Sequence, residues 1–170
     1  MSARPEIRLR GLRSREKGRA FEELLDLGFA LAYRRGLALV QKTPEPMKVL
    51  RPLGNGRFEC CFAHAAQPDY KGVLKGGRAV FFEAKYTDTG CLRQSAVTVE
   101  QAAILDAAES LGALCYVLCG FRDAVYRVPW RVWRDMESAI GRRYVTPEDL
   151  APYRVSVSAL IPAGEEEPHA

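Results

Sequence analysis

Apolar positions at Phe21, Leu24, Leu25, Gly28, Leu31 and Ala32 recur every three or four residues. The spacing predicts an amphipathic helix from about Arg15 to Arg35 with Ser14 as its cap. The period then shortens. Leu37 to Gln41 reads as a strand, and Thr43-Pro44-Glu45-Pro46 follows with prolines that exclude it from a central ladder position. Met47 to Leu50 resumes extended character, and Gly54-Asn55-Gly56 is a hairpin-turn signal. Tyr70 to Leu74 and Arg78 to Tyr86 are β-type runs joined by Lys75-Gly76-Gly77, which predicts a second hairpin. After a polar, irregular stretch from Thr87 to Val97, Thr98 opens a helix reaching about Ala108. Leu114 to Leu118 and Ala124 to Val128 then read as strands. Trp130 and Trp133 sit at helical spacing in a segment that ends near Ile140, as packing residues. Tyr144 to Pro152 is turn-like, and Arg154 to Ile161 reads as a last edge strand. This order predicts an α/β fold with a mixed sheet between helices.

With 170 residues and 48% hydrophobic content, the chain can bury one sizeable core. We expect a single domain over residues 15–161, a basic flexible arm over 1–14, and a disordered acidic tail over 162–170. The formal net charge of +4 is unevenly spread: residues 1–20 hold seven Arg or Lys against Glu6 and Glu16, whereas the tail carries Glu165, Glu166 and Glu167. Arg8, Arg10, Arg13 and Arg15 are thus candidates for phosphate contact with a polyanion, or form a merely solubilising terminus. No stretch is long and apolar enough for a membrane span, and the arginine-rich start lacks the apolar core of a secretory signal, so the expected location is cytoplasmic. Cys60, Cys61, Cys91, Cys115 and Cys119 are an odd set without Cys-x-x-Cys spacing. They read as reduced thiols rather than disulfides or a zinc site.

Ionisable residues enter apolar strand sequence at one place, Pro68 to Lys85. Glu83 and Lys85 are two apart on a strand and share a face, while the hairpin brings Asp69 alongside. Two carboxylates on neighbouring strands suit a hard, oxygen-seeking cation such as Mg²⁺, and an adjacent ammonium suits the charge that develops on a phosphate under attack. An isolated Glu-x-Lys is most often a solvated ion pair; the neighbouring Asp69, the apolar Ala79 to Phe82 and the basic chain favour phosphodiester chemistry. Three other features each admit two readings. Glu22 either pairs with an arginine such as Arg19 or reaches the site. Gln101 either completes a capping box with Thr98 or serves the site. The turn at Gly54-Asn55-Gly56, flanked by Lys48, Arg51 and Arg57, is either a basic finger for DNA or a surface hairpin.

Together, Asp69, Glu83-Ala84-Lys85 and the helix with Gln101 resemble the PD-(D/E)xK nucleases of the type II restriction endonuclease-like fold. Within that superfamily the chain is most similar to RecU-type Holliday junction resolvases, from about Lys17 to Trp133. Lys17-Gly18 with Phe21-Glu22 is similar to the family's Arg-Gly and Glu, and Lys42-Thr43-Pro44-Glu45-Pro46 to its Lys-Lys-Pro-Thr-Pro. Asp69-Tyr70-Lys71-Gly72 with Phe82-Glu83-Ala84-Lys85 resembles its most specific pair of motifs. The resemblance implies catalytic roles for Asp69, Glu83, Lys85, Gln101 and Glu22, with Asp69 and Glu83 as metal ligands for Mg²⁺, or Mn²⁺ as a substitute. It also implies a homodimer that nicks two symmetric strands of a four-way DNA junction in recombination and repair, alongside other recombination proteins. Glu45, Pro68 and Glu100 depart from the family pattern, and the segment around Gly54 corresponds to a protruding stalk, shortened here. A divergent member, such as a phage one, fits these departures. The alternatives are another PD-(D/E)xK nuclease acting on duplex, flap or single-stranded DNA, and a DNA-binding recombination accessory protein that no longer cleaves. A Mg²⁺-dependent nicking assay discriminates them.

Overall fold

The computed structural model describes residues 5–44, 47–62 and 67–162. Helix α1 runs Pro5–Arg34. It therefore begins well before the expected Arg15: residues 5–14 of the expected flexible arm are helical, and residues 1–4 lie outside the described residues. Ser14 lies inside the helix rather than capping it. Proline suits the first helical position, and the Arg, Leu and Glu that follow are good helix formers, so nothing in that segment but Gly11 opposes the helix. Its other end is a Schellman turn: Gly36 adopts φ +66°, its N–H reaches Tyr33 O, and Leu37 N donates to Ala32 O at 3.0 Å.

The chain continues through β1 (Ala38–Lys42), β2 (Met47–Gly54), β3 (Arg57–Phe62), β4 (Tyr70–Leu74), β5 (Ala79–Thr87) and the short β6 (Leu92–Arg93). Helix α2 (Val99–Ser110) leads to β7 (Leu114–Phe121) and β8 (Ala124–Pro129). Next come α3 (Trp130–Arg134), α4 (Met136–Ile140), β9 (Tyr144–Val145) and β10 (Arg154–Val155). The helix expected to reach Ile140 is broken at Asp135. The expected edge strand at Arg154 to Ile161 is present at the sheet edge but short, because the chain turns into a 3-10 helix at Val157–Ala159.

Six strands form the main sheet in the order β1-β4-β5-β7-β8-β10. All neighbouring pairs are antiparallel except β5 and β7, which are parallel and connected through α2. Alternation along β5 divides its residues between two cores. Val80 and Phe82 lie with Phe21, Leu25, Phe29 and Ala32 of α1, whereas Phe81 packs with Leu105 of α2 and with Trp130, Trp133 and Met136. Leu24 and Leu31 fall on the flank of α1, at 38% and 37% exposed, and the buried Phe29 takes the place expected of them.

Strands β2 and β3 form a separate two-stranded ribbon around the turn at Asn55 (φ +50°) and Gly56 (φ +72°). Every residue of β2 is exposed, including Met47, Val49, Leu50 and Leu53. The predicted hairpin is therefore present and stands off the sheet. Glu45 and Pro46 lie outside the described residues, as does the acidic tail apart from Pro162. No helix among the described residues is long and apolar enough to cross a membrane.

Candidate active site

The register of β4 against β5 pairs Tyr70 with Phe82, which sets Asp69 across from Glu83 at the end of the ladder. On its other side, β4 meets β1 at Gly72. A Cβ there would stand 2.1 Å from Leu39 O, so only glycine lets β1 approach β4 this closely. Tyr70 is buried against Phe29, with ring centroids 5.0 Å apart, and its hydroxyl donates to Glu22 O at 3.3 Å. These contacts anchor the residue next to Asp69.

Glu83 is completely buried. Its Oε1 accepts from Gln101 Nε2 at 2.7 Å and pairs with Lys85 Nζ at 2.5 Å, while Oε2 lies 3.3 Å from the Asp69 N–H. Asp69 Oδ2 in turn accepts from Ala84 N at 2.9 Å. Burial and the Asp69 charge push the Glu83 carboxyl up to about 7, and the Lys85 ammonium opposes that rise. Lys85 keeps 22% of its side chain exposed, so the cluster opens to solvent on the ammonium side.

Gln101 combines both roles left open by the sequence. Thr98 N donates to its Oε1 at 3.1 Å, and Gln101 N donates to Thr98 Oγ1 at 3.2 Å, which makes a complete capping box at the start of α2. With Oε1 committed to the cap, the amide nitrogen is the atom presented to Glu83. Helix start and site are thus held by one side chain.

Glu22 takes neither expected partner. Arg19 pairs with Glu23, and the Glu22 carboxylate pairs with Lys42 at the end of β1. That bond is the main reason the Lys42 ammonium is held above its ordinary range, with further support from Asp26 and Asp69. Lys42 is therefore the electrostatic link between Glu22 and the cluster. The sequence offered one signal for it, its place at the head of Lys42-Thr43-Pro44. Next to it, Thr43 N donates to Asp69 O at 2.8 Å, and the Thr43 hydroxyl is buried without a partner among the described residues.

Among the described residues, no three of His, Cys, Asp and Glu gather as a ready-made ion cage, so Glu22 does not close a carboxylate triad. Asp69 and Glu83 alone nonetheless fit a magnesium-like ion. Both are hard oxygen donors, their negative charges are forced together at the edge of a buried site, and such an ion keeps several waters of its own. Lys48, Arg51 and Arg57 are all exposed on the ribbon, and Arg51 pairs with Glu59 across it. Arg8, Arg10, Arg13 and Arg15 fall in the first half of α1.

The model of the RecU family, recombination protein U, matches residues 16–161 of the chain. Among solved structures, the chain is similar to Hjc, a Holliday junction resolvase from the archaeal hyperthermophile Archaeoglobus fulgidus. The TM-score is 0.50 at 16% identity, over 85% of this chain and 95% of that one. This second likeness shows the fold, a restriction endonuclease-like core. Among curated proteins nothing matches the chain.

Proposed function

Since the chain belongs to the RecU family of recombination proteins, we propose that it is a metal-dependent endonuclease that resolves Holliday junctions by paired, symmetric nicks. The observation that carries this reading is the convergence of Lys85 and Gln101 on one oxygen of a buried Glu83, with Asp69 bridged to the same strand. A surface ion pair would need neither the burial nor the second donor.

Asp69 and Glu83 would hold Mg²⁺, with Mn²⁺ as a substitute; when bound, such an ion draws charge from the phosphate and acidifies the water it carries. The remaining work falls to this chain's own side chains. Gln101 keeps the Glu83 carboxylate in one orientation. Lys85, the site's half-open cation, meets the negative charge that grows on the phosphorus oxygens or helps orient the attacking water. Glu22 would act through Lys42, whose ammonium it pairs with near Asp69 and which would contact a phosphate flanking the scissile bond. The ribbon with Lys48, Arg51 and Arg57, and the arginines of the first half of α1, would add phosphate contacts. A four-way junction is two-fold symmetric, and a homodimer presents two such sites with matching symmetry.

The deciding experiment is cleavage of a synthetic mobile junction beside matched duplex and flap substrates, with and without Mg²⁺. Paired nicks on the junction alone are the expected result. Equal cleavage of the duplex or the flap would replace junction resolution by a broader nuclease activity, and absence of nicking on every substrate would overturn the enzyme reading.

A further inference from the structure

A cleft of about 390 Å³ is lined by Thr98, Val99, Ala102 and Asp106 at and along α2. Trp130 and Trp133 of α3 and the apolar Val97 line it as well. The proposed chemistry leaves it unused. Its size falls in the range of small-ligand pockets, about 300–1,000 Å³, which is room for one nucleotide and far too little for a duplex.

Three arginines line it, Arg93, Arg134 and Arg143, against the single carboxylate of Asp106. They are not equivalent. Arg134 is neutralised by Asp106, Glu109 and Asp135 and serves the fold. Arg143 pairs with Glu137, but both side chains are mostly exposed, at 74% and 65%, and such a pair is readily exchanged for a phosphate. The Arg93 side chain is exposed and pairs with no carboxylate among the described residues. The cleft thus has an apolar floor, a cationic mouth and, in Asp106, an acceptor already fixed by Trp130 Nε1 at 2.7 Å. A planar apolar body with a phosphate at one side and amino hydrogens at another matches that combination.

Its position adds to the argument. Thr98 lines the cleft and also holds Gln101, which holds Glu83. Cleft and site therefore flank the same first turn of α2, within reach of one strand.

We propose that this cleft receives one unstacked nucleotide of the strand being nicked, its base between α2 and α3 and its phosphate at Arg93 and Arg143. The proposal rests on the junction-cleaving reading and deepens it. Bases at a four-way crossover are the least constrained in the substrate, so extrusion costs least there. The occupant would make the nick depend on local sequence, with Asp106 favouring a base that carries an exocyclic amine.

The test uses junctions carrying 2-aminopurine singly at each position around the crossover, bound without divalent cation, and a single strand of the same sequence. Wild-type protein should brighten one position several-fold as that base leaves its stack. With the junction saturated by protein, Arg93→Ala and Val99→Glu should abolish the signal and flatten the preference for nick position. Val99 is 82% exposed, and an acid at a helix N-terminus favours the helix, so these variants keep the fold. Ala102→Leu should act likewise by filling the cleft. No brightening at any position, or brightening untouched by all three variants, would overturn the proposal even if the protein cleaves junctions normally. Failure of wild-type cleavage would overturn the junction reading instead, and the binding signal would still decide whether the cleft takes a base.

Discussion

Glu83 places a titratable carboxyl in a position with no exposed surface, and its neighbours Asp69 and Lys85 pull its protonation in opposite directions. Its carboxyl titrates at about 7 in the folded chain against an ordinary 4.5, so the folded state holds a proton that the unfolded chain has lost. The stability this group contributes is full below the unfolded value and disappears as pH rises through about 7. Metal-free protein should therefore melt at progressively lower temperature from about pH 5 to about pH 8, and Glu83→Gln should flatten that slope. Added Mg²⁺ should restore the midpoint at the alkaline end of a thermal-melt series. In kinetics, Asp69→Ala or Glu83→Ala should eliminate nicking and spare junction binding, which phosphate contacts dominate. Lys85→Met should lower single-turnover rate by about 10²–10³-fold with affinity within a few-fold, as expected of a group that acts on developing charge.

Between elements, closeness is set by small residues. Gly28 of α1 meets the 3-10 helix of Val157–Ala159, where a Cβ would lie 2.4 Å from Leu160 Cδ1 and 2.6 Å from Val157 O. Gly28→Ala should push the two apart and cost about 1–3 kcal/mol in denaturant unfolding, although alanine is the better helix former. Gly28 was legible only as one step of an apolar stripe; its partner lies near the other end of the chain, and no local pattern encodes such a distance. The β4–β5 hairpin was legible in full, because alternation and a Gly-Gly turn are local signals, and it carried Asp69, Glu83 and Lys85 with it. Gln101 was legible as a cap, and because its amide has two ends the same side chain also reaches Glu83. The pairing of Glu22 with Lys42 was not, since β1 and α1 meet only through the tertiary fold. The early start of α1 was hidden by Ser14, whose capping signal was real and was overridden by good helix formers on both sides.

At the scale of the whole molecule, basic residues concentrate in the first half of α1 and in the ribbon. Deleting residues 1–15 should flatten the salt dependence of junction binding, by about 0.9 in log-log slope for each phosphate that those arginines neutralise in the full chain. Within the ribbon, Arg51 is already engaged by Glu59 while Arg57 sits beside the turn. The ratio of junction to duplex dissociation constants at one salt concentration should accordingly move more for Arg57→Ala than for Arg51→Ala; equal ratios would deny the ribbon a role in choosing branched DNA.

The exposure of β2 on both faces has a further consequence. Because every residue of β2 is exposed and no ladder joins the ribbon to the six-stranded sheet, opening it breaks no strand pairing of the strands that carry Glu83 and Lys85. It is a cooperative unit of its own, able to unfold at low free-energy cost while the sheet remains intact. Selection can then rewrite its sequence, length or charge with little penalty in the six-stranded core.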